Sequence, residues 1–348
     1  MTPFEYHNAT SIKDAASNIN HESMQVIAGG TTMLDLMKMN VLTPKKLVHV
    51  RDVLPSQITL SDNTLSVGAA AKMADLADAA KGGLVFPAIR QSLILAASPQ
   101  IRNMATIGGN LLQRPRSTYF RHTDMPVDGR PTAGFGKDVD TSLLAVLGNG
   151  GRLVGMYPGD FAVTVLAFDA EIELSDGKQS RKVKARDFYQ VPSKTFVYST
   201  ALKPNELITA VHFPVTPMLK NSFYLKIRER SSYAFALASV SVGLDIQAGN
   251  IRDARVGLGG LGSIPWHSPE AEQALIGQPA DDQVFEAAAE AALASAQPPA
   301  GLEYKVSLAK RTLVRALQTL RDQGPLSDDE LWAMQHGRPN ANTNNRSA

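Results

Sequence analysis

Alternation and periodicity divide the chain into short strands and helices in mixed order. Phe4–His7 alternates like a strand, and Ser11–Asn20 has the spacing of an amphipathic helix. Met24–Ile27 is a short apolar run that ends in AGGTT. The following MLDLMKM has helical spacing, with Leu34, Met37 and Met39 as packing positions, and Lys46–His49 reads as another strand. This β-α-β-α-β order predicts a small α/β lobe over residues 1–55.

The pattern changes over residues 56–218. Strands are expected at Thr64–Gly68, Ala170–Leu174 and Leu207–Phe213, with turn signals at Asp62-Asn63 and Asp176-Gly177. Helices are expected at Met73–Ala79, Val85–Leu95 and Phe161–Ala167, the last opened by Pro158. A third region, 219–325, begins with strands at Phe223–Arg228, Ser239–Ile246 and Ile251–Gly257. Helices at Asp281–Ala296 and Tyr304–Arg321 close it. The Asn-rich tail from 337 to 348 carries too little apolar surface to fold and is expected to be disordered.

Composition narrows the chemistry. The chain has 348 residues, 44% hydrophobic and 20% charged, as in an ordinary soluble globular protein. The net charge of +2 comes with no basic block, which disfavours nucleic acid. The absence of cysteine excludes disulfides and any thiolate-held zinc or iron–sulfur cluster in this chain. The seven histidines are scattered without HxH or HExxH spacing, so no metal site is expected. No G-x-S-x-G elbow is present either. The N-terminus lacks the basic start and apolar core of a signal peptide, and no apolar run reaches the roughly 20 residues of a membrane span. The expected location is therefore cytoplasmic, or periplasmic if a partner carries the export signal.

Two glycine pairs stand out. In VIAGGTTM, Gly29 and Gly30 permit positive φ and close approach, and the N–H groups of Gly30–Met33 are placed to cradle an anion. No Walker lysine follows, so this is not a P-loop. In ATIGGNLLQ, Gly108 and Gly109 again leave bare backbone, flanked by Thr106 and Asn110. Together the two loops point to one diphosphate ligand clasped from both sides. GLGGLG at Gly257–Gly262 matches G-x-G-x-x-G, but Pro265 follows at once, so it reads as a strand end and not a dinucleotide fingerprint. Asp160 reads either as a helix-start carboxylate or as an acceptor for ligand hydroxyls. Lys226, in a charge-dense run, reads either as a solvated strand end or as an inward cation.

AGGTTMLDLMK, SPQIRNMATIGGNLLQ, YPGDFAVTVLAFDA and KIRERSSYAFALASV, in this order, resemble the FAD-binding medium subunits of molybdenum hydroxylases. That family includes the xanthine, carbon monoxide and aldehyde oxidoreductases, and the likeness is strongest to the flavin subunits of bacterial periplasmic aldehyde oxidoreductases. It covers nearly the whole chain. The resemblance implies an α+β fold, with a two-part α/β FAD-binding region followed by a smaller α+β domain. It implies that Ile27, Ala28, Gly29, Gly30, Thr31, Thr32 and Met33 wrap the FAD diphosphate, together with Thr106, Gly108, Gly109 and Asn110. Ile101 and Ala105, flanking the second loop, also count among the implied FAD-binding residues, Asp160 and Lys226 fall on FAD contacts, and Leu207 or Ile208 falls where an apolar side chain packs on the isoalloxazine.

The same resemblance implies the division of labour. A large molybdopterin-binding subunit oxidises the substrate, and a small subunit with two [2Fe–2S] clusters relays electrons to FAD in this chain. The flavin passes them to an external acceptor, so no catalytic residue is expected here. An aldehyde is the expected substrate; xanthine, N-heterocycles, carbon monoxide or a stand-alone flavoenzyme are the alternatives. Some relatives carry a [4Fe–4S] insert after the second glycine loop. Here the insert, about 114–156, has Ser117, Val127, Gly136 and Leu153 at the ligand positions, so no such cluster is expected.

Overall fold

The computed structural model describes residues 1–19, 24–123, 140–191 and 199–336. The N-terminal lobe has β1 (Glu5–Asn8), α1 (Ile12–Ser17), β2 (Met24–Ile27), α2 (Met33–Lys38) and β3 (Lys46–His49). Its strands form a parallel sheet in the order β1-β3-β2. Ser11 caps α1 by accepting the Asp14 N–H at 3.1 Å. Helix α2 corrects one expectation: it buries Leu36 and Met37, while Leu34 and Met39 stay exposed. Met33, Leu36 and Met37 share one i, i+3, i+4 stripe, and Met37 packs on Ile27 and Leu47 of the sheet.

The second region contains β4 (Ile58–Leu60), β5 (Thr64–Gly68), α3 (Met73–Ala79), α4 (Pro87–Ile94), α5 (Pro99–Arg102), α6 (Ile107–Leu111) and α7 (Asp160–Ala167). It continues through β6 (Glu171–Ser175), β7 (Ser180–Lys184), α8 (Ala185–Phe188), β8 (Tyr189–Gln190), β9 (Ser199–Thr200), β10 (Leu207–Pro214) and α9 (Pro217–Lys220). Five of these strands make an antiparallel sheet in the order β4-β5-β10-β6-β7. The edge strands β4 and β7 escape the hydrophobic pattern because their residues stay largely exposed or half-buried. Pro158 does not open α7; the helix begins at Asp160, with Gly159 as the capping residue. A Cβ on Gly159 would lie 2.6 Å from the Tyr157 ring, so the cap position tolerates only glycine.

The C-terminal region has an antiparallel sheet of β11 (Ser222–Ile227), β12 (Ala238–Gln247), β13 (Asn250–Gly259) and β14 (Trp266–His267). Helices α10 (Pro269–Leu275), α11 (Asp282–Leu293), α12 (Glu303–Gln323) and α13 (Asp328–His336) follow. The GLGGLG run is the end of β13, and its glycines have a packing cause. A Cβ on Gly257 would lie 2.8 Å from the Val163 carbonyl oxygen, and one on Gly259 2.6 Å from Val163 Cγ2. Removing both lets α7 lie directly on the sheet. The expected disorder of the tail from 337 lies outside the described residues.

One continuous apolar core runs from the five-stranded sheet through α7 into the C-terminal sheet and helices. The N-terminal lobe keeps two small clusters of its own, and Leu207 of β10 joins one of them. Three charged groups, Asp160, Lys226 and Lys305, are sealed in or beside the main core. Lys226 Nζ donates to Asp160 Oδ2 at 2.7 Å, and both side chains are almost fully buried. Lys305, on α12, is 0% exposed, and its Nζ has no hydrogen-bond partner among the described residues.

Two stability predictions follow from these charges. Lys226→Met strands a buried carboxylate and should lower the unfolding free energy by about 3–5 kcal/mol, measured by urea denaturation. The double variant Asp160→Asn/Lys226→Met should recover part of that loss; an additive loss would contradict a coupled pair. Burial pushes the Lys305 ammonium down to about 8 from 10.5. The folded state then binds fewer protons than the unfolded one between those values, so stability should rise as pH climbs from about 8 to about 10.5. Lys305→Met should abolish this rise and stabilise the chain at neutral pH by roughly 2–3 kcal/mol; an unchanged pH profile would refute the assignment.

Candidate functional site

The two glycine loops, far apart in sequence, meet in space. A Cβ on Gly29 would lie 2.1 Å from the Met104 carbonyl oxygen and 3.0 Å from Ala105 Cα. Gly29 is therefore what lets the β2–α2 loop lie against the backbone that leads into α6. Gly30 takes φ +71° and turns the chain into α2. The N–H groups of Gly29, Gly30, Thr31, Thr32 and Met33 have no hydrogen-bond partner among the described residues. Such a run of donors without a partner among the described residues suits an anion without any cationic side chain.

The second loop is not an irregular glycine turn. Ile107–Leu111 is a short helix, capped by Thr106 Oγ1, which accepts the Gly109 N–H at 3.3 Å. The Ile107 and Gly108 N–H groups are spent on the Ala71 and Ala69 carbonyls, each at 2.9 Å. Ala105 O accepts the Met73 N–H at 3.0 Å, and Ala69 N donates to Thr209 O of β10 at 2.9 Å. The helix start is thereby sewn to the end of β5 and to β10. Ile101 anchors the preceding turn, its carbonyl accepting the Ala105 N–H at 2.8 Å.

The four glycines divide by cause. Gly29 and Gly108 are required by neighbouring chain: a Cβ on Gly108 would meet Ala69 Cβ at 3.0 Å. Gly30 is required by its φ. Gly109 is exposed, and an added Cβ would meet only its own cap, Thr106 Oγ1, at 3.1 Å. No described side chain or backbone therefore explains why that position is bare. Beside it, the buried Asn110 Oδ1 has no hydrogen-bond partner, although its Nδ2 reaches Met73 Sδ at 3.3 Å. A bare backbone patch, an orphaned acceptor and a row of free N–H donors fit a ligand bearing both an oxyanion and hydrogen-bond donors.

Asp160 and Lys226 pair with each other. Asp160 Oδ1 accepts the Tyr224 hydroxyl at 2.6 Å, and Lys226 Nζ also donates to Leu95 O at 3.1 Å. Burial, and then the Asp160 charge, raise the Tyr224 phenol well above its usual 10.0. Leu207 and Ile208 diverge: Leu207 packs into the N-terminal lobe, and Ile208 into the main core. Ser117 is buried, its Oγ accepting the Tyr119 N–H at 3.2 Å, and Leu153 is exposed. Val127 and Gly136 lie outside the described residues.

Sequence reasoning missed the cations around the end of α4. Arg228 Nη1 donates to Leu95 O at 3.2 Å, and Arg102 Nη1 to Ala96 O at 2.7 Å. Burial lowers both guanidinium groups, and Arg228 lowers Arg102 further. Their convergence depends on residues more than a hundred positions apart, a relation that spacing alone does not carry.

Residues 2–216 match the family model described as FAD binding domain in molybdopterin dehydrogenase, and residues 223–320 match the CO dehydrogenase flavoprotein C-terminal domain. The chain is 36% identical to the aldehyde oxidoreductase FAD-binding subunit PaoB of Escherichia coli, across 93% of this chain and all of that one. It is 30% identical to the carbon monoxide dehydrogenase medium chain of Afipia carboxidovorans, across 90% and 96% of the two chains. Among solved structures, it aligns with a Cu,Mo-CO dehydrogenase at a TM-score of 0.70 and 28% identity, covering 91% of this chain and 98% of that one. With an α+β architecture to match, the chain belongs to the family of FAD-binding medium subunits of molybdenum hydroxylases.

Proposed function

We propose that this chain is the flavin-holding, electron-transferring subunit of a heterotrimeric molybdenum-dependent aldehyde oxidoreductase. The observation that carries the reading is the seam of the two glycine loops, which joins free donors at Gly29–Met33 to the bare backbone of Gly109. The identity to PaoB over the full length of that relative supports the aldehyde as substrate class. The partners are a large molybdopterin-binding subunit, which converts aldehyde to carboxylic acid, and a small subunit with two [2Fe–2S] clusters. When bound, FAD supplies the exchange of electrons between the partner clusters and an external acceptor.

The residues of this chain hold and orient that cofactor. Ile27–Met33 and Thr106–Asn110 are the diphosphate cradle, with Asn110 Oδ1 free to accept from a ligand donor. Asp160 and Lys226 act from the buried side, and their charges are already balanced against each other. They therefore fix the frame of the site, with Leu207 and Ile208 as its apolar backing. No helix of the described residues is long and apolar enough to cross a membrane. Cytoplasmic residence, or export with a partner, follows the location of the complex.

The full-length chain should purify with the visible absorbance of oxidised flavin. Gly109→Val should fold with nearly the wild-type unfolding midpoint, because an added Cβ would meet only Thr106 Oγ1, at 3.1 Å, and the residue is exposed. Its FAD affinity should fall at least about tenfold, equivalent to about 1.4 kcal/mol, measured by equilibrium dialysis. Retained affinity in a folded Gly109→Val chain would remove this loop from the site.

A further inference from the structure

A second feature at the same end of the molecule is not used by the flavin reading. Arg116 follows α6, and its backbone is clamped to Met156 by a reciprocal pair of hydrogen bonds of 2.7 and 2.9 Å. Gly155 makes the clamp possible: a Cβ there would lie 2.9 Å from the Arg116 carbonyl oxygen. The side chain is thereby fixed inward, and the residue is only 8% exposed. Its guanidinium carbon lies 3.6 Å from the centroid of the Phe120 ring and 5.6 Å from that of Phe235. Nε is sealed from solvent without a hydrogen-bond partner, and no guanidinium nitrogen makes an ion pair with a described residue.

Among the described residues, the charges around it leave a positive surplus. Asp35 of α2 is the attracting carboxylate, but it is already paired with Arg121 at 2.9 Å. Arg121 repels Arg116, and the phenol of Tyr233, in the loop after β11, lies close enough to be felt. Two guanidinium groups thus share one carboxylate. A guanidinium cannot shed its proton to escape burial, so the imbalance calls for an anion. The aromatic faces hold the fork in one plane, the arrangement suited to two oxygens at once.

We propose that Arg116 is an anion-binding residue, receiving the paired oxygens of a carboxylate or phosphate group where α2, the 116–121 segment and the loop after β11 meet. The oxyanion has two possible sources: the diphosphate of the bound flavin nucleotide, or a separate soluble anion. The chemistry is common to both, and the experiment separates them.

Inorganic phosphate is titrated into the full-length chain, with and without FAD, and chloride at matched ionic strength serves as the control. Phosphate should raise the unfolding midpoint of the wild-type chain well beyond chloride. Arg116→Met keeps the packing volume and removes the charge. It should bind phosphate at least tenfold more weakly by calorimetry, with an unfolding midpoint no lower than wild type in phosphate-free buffer. If phosphate binding disappears on FAD loading and Arg116→Met also loses FAD affinity, the flavin diphosphate is the source. If phosphate still binds the FAD-loaded chain, the site takes a separate anion. A phosphate effect equal to that of chloride overturns the proposal. So does an Arg116→Met chain that is unfolded or clearly destabilised without phosphate, because the guanidinium would then be structural.

Discussion

Asp160 and Lys226 cancel each other's charge inside the core, and the site depends on that pair. The carboxylate opens α7, the ammonium projects from β11, and the Leu95 carbonyl at the end of α4 accepts from Lys226. From Leu95 the chain passes through α5 to Met104, whose carbonyl packs against Gly29. The position of the glycine seam is therefore referred back to a charge pair in the main core. A buried pair of this kind contributes little net stability against an apolar replacement, but it tolerates no loss of either member. Its role here is geometric: it ties helix, sheet and loop to one point.

The longer elements were legible because their periodicity is sustained over many residues, as in α12 and the β12–β13 hairpin. Several short helices were missed, although their signals are present. Ser98-Pro99, Thr216-Pro217 and Ser268-Pro269 each place a capping hydroxyl before a proline at the first helical position. The helices they open are at most seven residues long, too short for a period to register. TIGGN was read as a loop because two glycines outweigh one threonine in any propensity count. The structure resolves the contest through Thr106, whose hydroxyl caps the turn, and through Ala69 and Ala71, whose carbonyls take the remaining donors.

The glycine pairs were expected to clasp one ligand, and the structure sets the first loop against the approach to the second, but the reason for each glycine was not legible. Gly257 and Gly259 match the letters of a nucleotide motif but were read as a strand end, and their packing cause, clearance for Val163, appears only in the fold. Gly29 looked like a ligand contact and is first a clearance for Met104. Only a neighbour's position distinguishes these cases, and neighbours here come from distant sequence. The pairing of Asp160 with Lys226 was hidden for the same reason: both residues were weighed singly, and each has its partner 66 positions away.

Lys305 and Arg116, buried without an ion-pair partner among the described residues, show how differently the same burial acts on lysine and arginine. Lys305 can become neutral as pH rises, so the cost of its burial has an internal limit. Arg116, pushed down only to about 10 by burial and then by Arg121, keeps its charge throughout the neutral range. An amine in a core can be an accident of packing that the protein tolerates. A guanidinium held rigid against aromatic rings, its nearest described carboxylate already paired with Arg121, is a standing demand.

The division of the apolar core has a further consequence. The five-stranded sheet and the C-terminal region share one core, whereas the N-terminal lobe has two small apolar clusters and meets the rest at Met104, at the Gly177 turn against Lys13 and through the Asp35–Arg121 pair. A unit with so little apolar anchorage opens at a lower free energy than the whole chain. A ligand that touches both sides of the seam binds only the closed arrangement and draws the lobe shut by mass action. On the reading that FAD bridges this seam, cofactor binding would hold the N-terminal lobe against local opening.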